Sequence, residues 1–513
     1  MSTQKPSASD KFFIKMSTKQ MRSKTQEFLS TRKKIQPLND IVKEFEICVE
    51  NEASLTPYLL AVEKIFSELL KSREMVTNGK LSKIKDSGPD IQYRETLQKH
   101  YETIWKLILT GMQNPNQNES TQALVTAMRL VCVEAKNPKN PDIKTSTMSA
   151  SKLKSIVQRL LSSTHSNNHL FARFKEYGAY LDVVFYLWKI LPDVTHKGTP
   201  PSDIYVQNFL DLINTAPISA EVQENKQLFC CSDDIFEFDY PVARKNLNKV
   251  WACILQWTNN LTEHTHKQLL VVLLEKILCH LDKPVLLTDF LMDSLDVGGP
   301  VSLLALQGVF TLIQQHNLTY PKLYEKLYSM FEPEIFHTKY KARLFYLADI
   351  FLSSSHLPEN LVAAFAKRLA RLALVAPPQD VTTIIYFIGN LILRHPGLKR
   401  LISHPIGNRI PNDPFLMDER DPVQSNALDS SLWEIASLQQ HVMPTIAQAA
   451  KMISNPLPKV EWSLSNHLEI DENDLFDQEI LKRSKEYALN FERPQSTLVG
   501  NSSEPFSKYW KLF

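Results

Sequence analysis

Glycine is scarce in this sequence. Only 12 of the 513 residues are glycine, about 2%, whereas an average protein contains about 7%. Phosphate-binding loops and tight β-hairpins depend on glycine, because they need positive φ angles or a close approach of the backbone. The scarcity therefore disfavours nucleotide-binding and β-rich folds. Since 43% of the residues are hydrophobic, a long helical protein with a buried core is the expectation.

Motifs that carry catalysis or bind metals are also missing. The sequence contains no GxGxxG, GxxxxGK[ST], HExxH or GxSxG pattern, and none of its six cysteines forms a CxxC pair. His165 and His169 stand four residues apart, but the polar segment around them offers no third ligand. We therefore expect no catalytic residues, cofactor, metal or small-molecule substrate, and a protein that is not an enzyme.

Long apolar runs and an excess of one charge are absent too. The most apolar stretch, residues 381–393, has 13 residues, whereas a helix needs about 20 to cross a bilayer. The first ten residues contain no apolar core of a signal peptide. The net charge of +2 argues against a protein that coats a polyanion. We expect an intracellular protein whose contacts with nucleic acid are local.

Apolar residues recur at helical spacing along most of the chain, and polar or proline-rich segments interrupt them. In the C-terminal half, equivalent helix starts near Ser302, Lys339 and Gln379 lie 37 and 40 residues apart. A period near 40 residues with two helices per unit is typical of HEAT-like stacking. The pattern predicts an all-α, HEAT/armadillo-like helical-repeat superhelix with a basic N-terminal arm and an acidic C-terminal tail. The predicted regions are the arm 1–40, an N-terminal helical body 41–200, an irregular linker 201–241, a helical-repeat domain 242–455 and the tail 456–513.

The N-terminal arm contains the first cluster of positive charge. Residues 1–40 hold nine Lys or Arg and three Asp or Glu. Within them, Arg32, Lys33 and Lys34 are a candidate nuclear-import signal or a contact with RNA phosphates. A solvated tail without a function is the alternative.

A second cluster lies on the predicted helix within residues 353–374. Lys367, Arg368 and Arg371 fall opposite an apolar stripe and have no acidic neighbour within one helical turn. We interpret them as part of an exposed surface for RNA phosphates or an acidic partner, with a solvated polar face as the alternative. The remaining candidates for this surface are Arg394, Lys399 and Arg400. The acidic residues 469–479 could contact a basic partner or fold back on this face, or form a disordered tail.

Several segments of the C-terminal half resemble a known family. They are GGPVSLLAL from Gly298, KYKAR from Lys339, SSSHLP from Ser353, VAAFAKRLARLAL from Val362 and SSLWE from Ser430. Together they resemble the CCAAT-binding-factor domain of the nucleolar complex protein 4 family of ribosome-assembly factors. Before residue 298 the resemblance lies in the order of elements more than in motifs.

The resemblance implies a non-catalytic helical scaffold in the nucleus and nucleolus. It implies a heterodimer with a nucleolar protein 14 homologue within the small-subunit processome, where the chain supports maturation of small-subunit rRNA. Other processome proteins and pre-rRNA are the further contacts that it suggests. A transcriptional co-regulator and a nuclear transport adaptor are the alternatives, because either can be built from stacked helices.

Overall fold

Every regular element that the structure describes is helical. The computed structural model describes residues 18–31, 34–51, 53–75, 88–137, 148–218, 227–230, 236, 238–316, 320, 322–354, 356–403 and 412–488. Within these ranges there is no β-strand. The prediction of an all-α fold is confirmed.

The chain divides into two units, Met1–His316 and Asn317–Phe513. The helices of the first unit are α1 (Thr18–Ser30), α2 (Gln36–Glu50), α3 (Thr56–Lys71), α4 (Gly88–Gly111), α5 (Gln117–Lys136), α6 (Ala150–Leu160), α7 (Asn168–Phe174), α8 (Leu181–Val194), α9 (Asp203–Thr215), α10 (Tyr240–Ile254), α11 (Glu263–Val272), α12 (Thr288–Asp296) and α13 (Gly299–His316). Those of the second unit are α14 (Leu323–Ser329), α15 (Lys341–Phe351), α16 (Glu359–Ala373), α17 (Pro378–Arg394), α18 (Trp433–Leu438), α19 (Pro444–Ala450), α20 (Ser465–Leu468) and α21 (Glu472–Ala488). Short 3₁₀ turns connect several of them.

Polar caps and prolines define where many of these helices begin. Four helices start at a side chain that accepts a hydrogen bond from a backbone N–H of the first turn, which satisfies a donor that the helix itself leaves unpaired. These side chains are Asn116, Ser202, Asp239 and Thr262. Proline occupies the first turn of α2, α3, α10 and α17, where its missing N–H removes no helical bond. Polar caps and prolines therefore set helix starts in this glycine-poor chain.

The repeat predicted for the C-terminal half appears in the structure. Helices α13, α15 and α17 begin at Gly299, Lys341 and Pro378, each within three residues of the predicted start. Helix α16 packs against α17, and α12 packs against α13. The predicted helical repetition is therefore present in both units.

The predicted start of the second body at residue 242 differs from the observed division after His316. Helix α10 packs against α8 and α11 packs against α9, so these elements belong to the first unit. The linker 201–241 is not irregular throughout, because its first part is helix α9. Val206, Phe209 and Ile213 are buried on that helix, and their spacing is helical.

Part of the predicted N-terminal arm is helical. Helix α1 buries Met21 and Phe28 and packs against α2 and α3, so residues 18–30 are part of the helical body. Arg32 and Lys33 lie outside the described residues, and Lys34 is exposed. None of the described helices combines the length and the apolar character that a membrane span requires.

Candidate interaction site

The positive charges of α16 do not form a surface stripe. The side chain of Lys367 is fully buried, with an exposed fraction of 0%, and those of Arg368 and Arg371 are partly buried. The interpretation of Lys367 as an exposed contact for phosphates is therefore wrong. Its acidic partners lie far along the chain, outside the helical turn on either side of the lysine.

Lys367 is the centre of a cluster that we call the charge knot, which consists of Lys367, Arg371, Asp413 and Glu434. The Lys367 Nζ donates hydrogen bonds to both carboxylate oxygens of Glu434, at 2.7 and 2.9 Å. It also lies 2.9 Å from Asp413 Oδ2. Glu434 has an exposed fraction of 0%, so this ion pair is removed from water.

Arg371 completes the charge knot from the next turn of α16. Its Nη2 donates to Asp413 Oδ2 at 2.7 Å, and its Nε lies 2.7 Å from Glu434 Oε1. The Nε–H does not point at that oxygen, so the second contact is an ion pair without a hydrogen bond. The guanidinium group lies 4.8 Å from the ring centroid of Trp433, a cation–π distance.

The pKa values of the two carboxylates in the charge knot are shifted in opposite directions. Burial would raise the pKa of Asp413, but hydrogen bonds from Ser430, Lys367 and Trp433 outweigh it and hold that pKa well below its usual range. Burial raises the pKa of Glu434, because desolvation disfavours a carboxylate, and the hydrogen bonds from Lys367 oppose that rise. The hydrogen bonds from Lys367 thus oppose the effect of burial on the pKa of both carboxylates.

Arg368 fastens the same part of the chain by other contacts. Its Nε donates to the carbonyl of Phe331 at 2.8 Å and its Nη1 to the carbonyl of Met417 at 3.0 Å. Its guanidinium group lies 4.6 Å from the ring centroid of Tyr328. The cations of α16 thus hold residues 412–434 against the helix. Two of the segments that carry the family resemblance, from Val362 and from Ser430, are therefore joined by ion pairs.

Arg394, at the end of α17, is also paired. It contacts Asp349 through Nη1 at 2.8 Å and Nη2 at 3.3 Å. It reaches Glu461 through Nε at 2.9 Å and Nη2 at 2.6 Å. Hydrogen bonding from Arg394 lowers the pKa of Glu461. Glu461 of the predicted tail region is therefore held on α17, while the fold-back of the acidic residues 469–479 stays a prediction.

Lys399 and Arg400 are the predicted cations that the structure leaves at the surface of the second unit. Both side chains are exposed. Arg400 lies 3.2 Å from Asp429, and both partners are well exposed, so water screens this pair strongly. Lys399 forms no ion pair with any residue that the structure describes. These two residues remain candidates for contact with RNA or an acidic partner.

Residues 460–468, which we call the strap, dock on α17, a contact that was not predicted from the sequence. The strap lies on α17 beside Asn390, and Trp462 covers Gly389. A sequence signal was available, because Gly389 and Asn390 interrupt the most apolar run of the chain. A small residue and an amide within such a run indicate a close contact with another backbone.

No group of three or more His, Cys, Asp or Glu side chains suitable for a metal ion occurs among the described residues. His169 Nε2 instead lies 2.8 Å from the hydroxyl of Ser120, a contact that packs α7 against α5. The charged groups of the charge knot are paired with one another, and Arg394 is paired with Asp349 and Glu461. These pairs join segments that lie far apart in the sequence.

Comparison with known proteins identifies relatives along nearly the whole chain. Residues 15–199 match the family described as Nucleolar complex protein 4-like, TPR repeats, and residues 302–450 match the CBF/Mak21 family. Nucleolar complex protein 4 homolog A of Xenopus laevis is 37% identical over 496 residues, which is 93% of each chain. The human nucleolar complex protein 4 homolog is 33% identical over 488 residues, 92% of each chain. Nucleolar complex protein 4 of Saccharomyces cerevisiae is 33% identical over 361 residues, 64% of each chain.

Proposed function

The chain belongs to the nucleolar complex protein 4 family, and from this premise we propose that it is a non-catalytic scaffold of ribosome biogenesis in the nucleolus. The observation that carries the proposal is the extent of the similarity, which covers 93% of the chain and of its Xenopus laevis relative. A scaffold can contact its partners through patches on any part of its surface. Similarity that runs through both units supports this role better than similarity confined to one domain would.

We infer further that the chain forms a heterodimer with a nucleolar protein 14 homologue within the small-subunit processome and supports maturation of small-subunit rRNA. Stacked helices suit this role, because they present extended surfaces to large partners. The charges of α16 support it as well. Lys367 and Arg371 neutralise Asp413 and Glu434 within the fold, an arrangement that gives a rigid body to which partners can bind.

Affinity purification tests the heterodimer. A tagged chain is purified from nuclear extract with and without RNase, and the retained proteins are identified by mass spectrometry. We expect a nucleolar protein 14 homologue to remain after RNase treatment while other processome proteins are lost. Retention of transport cargoes or transcription factors in its place would overturn the proposal in favour of an adaptor or a co-regulator.

Contact with pre-rRNA requires a separate test at Lys399 and Arg400. We expect Lys399→Ala with Arg400→Ala to reduce binding of the purified chain to pre-rRNA, with a weaker dependence of affinity on salt, because each lost phosphate contact lowers that slope by about one. Lys339→Ala with Lys451→Ala is the matched control, since it removes two other exposed lysines of the second unit. Equal binding by the two double variants would contradict an RNA contact at this site.

A further inference from the structure

The strap lies in a groove formed by one face of α17. The residues that contact it are Thr383, Tyr386, Gly389, Asn390 and Arg394. Their spacing of three or four residues, with Gly389 and Asn390 adjacent, places them along a single side of the helix. The strap residues 461–463 have no helical structure. A non-helical piece of chain therefore lies along this helix face and continues into α20.

Asn390 recognises the backbone of the strap at two points. Its Nδ2 donates to the carbonyl of Trp462 at 2.9 Å, and the N–H of Trp462 donates to Asn390 Oδ1 at 2.9 Å. The Asn390 side chain is buried, with an exposed fraction of 1%. An amide that satisfies both backbone groups of one residue binds an extended peptide whatever its sequence, as a neighbouring β-strand does.

Specificity comes from the side chains of Trp462 and Glu461, which contact the groove beside that backbone contact. The Trp462 ring stacks on Tyr386 with centroids 5.5 Å apart and an interplanar angle of 23°. It also occupies the space above Gly389, where a Cβ atom would lie 2.5 Å from the indole. Arg394 binds both carboxylate oxygens of Glu461. The groove thus selects an acidic residue followed by tryptophan.

One charged group of the groove keeps a partner when the strap leaves. Arg394 is also bound by Asp349 of α15, so its guanidinium group remains in place without Glu461. Asn390 would face water, which can replace both of its hydrogen bonds. The start of the strap is already solvent-facing, since Val460 has an exposed fraction of 76% and Glu461 of 46%. Release of the strap therefore leaves Arg394 with Asp349 as its ion-pair partner.

We propose that the α17 groove is a peptide-binding site, that the strap is its resident ligand, and that a partner protein's extended segment with an acidic residue before a tryptophan takes its place. The occupant is defined by charge and shape, because Arg394 requires a carboxylate and Gly389 leaves room for an indole. This site is independent of the proposed role in ribosome biogenesis. Exchange frees residues 460–468 from α17.

A labelled copy of the strap tests the site on the full chain. The probe is a fluorescein-labelled peptide of residues 459–468, KVEWSLSNHL, and its binding is measured by fluorescence anisotropy. We expect the Trp462→Ala chain, whose own strap is weakened, to bind the probe at least about tenfold more tightly than the unmodified chain does, because a resident ligand lowers the fraction of open grooves. Adding Asn390→Ala to that variant should abolish the gain.

Two controls keep the result decisive. The same peptide with alanine in place of its tryptophan should not bind, and circular dichroism should give the variants the unmodified chain's helical content. A second measurement needs no variant: an excess of isotopically labelled peptide should speed hydrogen exchange at the Trp462 amide of the unmodified chain. Equal affinity of the probe for the Trp462→Ala and unmodified chains, or binding unaffected by Asn390→Ala, would overturn the proposal.

Discussion

The second unit fastens two stretches of its C-terminal chain to neighbouring helices in contrasting ways. The charge knot holds residues 412–434 on α16 through ion pairs centred on Lys367 and Glu434, a pair from which water is excluded. The strap is held on α17 by an amide, a stacked ring and an ion pair that water reaches. Removing a partner from a buried ion pair costs several kcal/mol, whereas an exposed pair contributes about 0 to 1 kcal/mol. The attachment through the charge knot is therefore permanent in the folded unit. The strap, in contrast, can detach while the unit stays folded.

The largest effect is expected from Lys367→Met. This change leaves Glu434 buried with only the partial compensation of Arg371, so we expect the free energy of unfolding to fall by about 3 to 5 kcal/mol. Urea denaturation followed by circular dichroism measures the loss. Lys399→Met is the matched control, because that lysine is exposed, and it should shift the midpoint little. A Lys367→Met chain as stable as its control would remove the basis for calling this attachment permanent.

A smaller loss is expected from Asp413→Asn, about 1 to 3 kcal/mol, because this carboxylate is partly exposed and several of its donors can reach water. Its pKa is lowered in the folded chain, so its contribution is present above the unfolded pKa of about 4 and declines as the pH falls below it. The deficit of the variant in urea denaturation should be constant from about pH 8 to 5 and shrink below about pH 4. A deficit that grows under acid would contradict this assignment.

Gly389→Ala should open the strap with little change in global stability. The new methyl group would collide with the Trp462 ring and with Met452 Sδ, which lie 2.5 and 3.0 Å from the Cβ position, while alanine itself favours the helix by up to about 1 kcal/mol. Hydrogen exchange of residues 457–470 should rise and the melting temperature should move by only a few degrees. Val460→Ala, at an exposed strap residue, is the control and should leave the exchange unchanged.

The smallest expected effect is a pH dependence of strap docking through His467. Its ring lies 4.8 Å from that of Tyr386, and burial lowers its pKa from 6.5. The released strap therefore binds the proton more readily, and docking should weaken as the pH falls below about 6.5. Hydrogen exchange of the strap, corrected for its intrinsic pH dependence, should rise between pH 7.5 and 5.5. The same rise in a His467→Gln chain would assign it to another group.

Local patterns predicted the helices well, because apolar spacing and prolines act within a few residues of the chain. The starts of α13, α15 and α17 followed from them. The burial of Lys367 could not be predicted in this way, since its partner Glu434 is 67 residues distant and a helical-turn comparison sees only four residues in each direction. The docking of the strap could not be predicted for the same reason, since Trp462 lies 72 residues from Asn390.

The pairing of Lys367 with Glu434 also bears on synthesis of the chain. A ribosome adds about 5 to 20 residues per second, so the 67 residues between the two partners take about 3 to 13 seconds to make. Until Asp413 has been made, α16 carries a lysine whose buried position has no counter-charge, and its buried partner Glu434 is made last. The pairing of Lys367 is therefore complete only after residue 434 has been made. Until then, the nascent segment exposes apolar surface of the kind that chaperones bind.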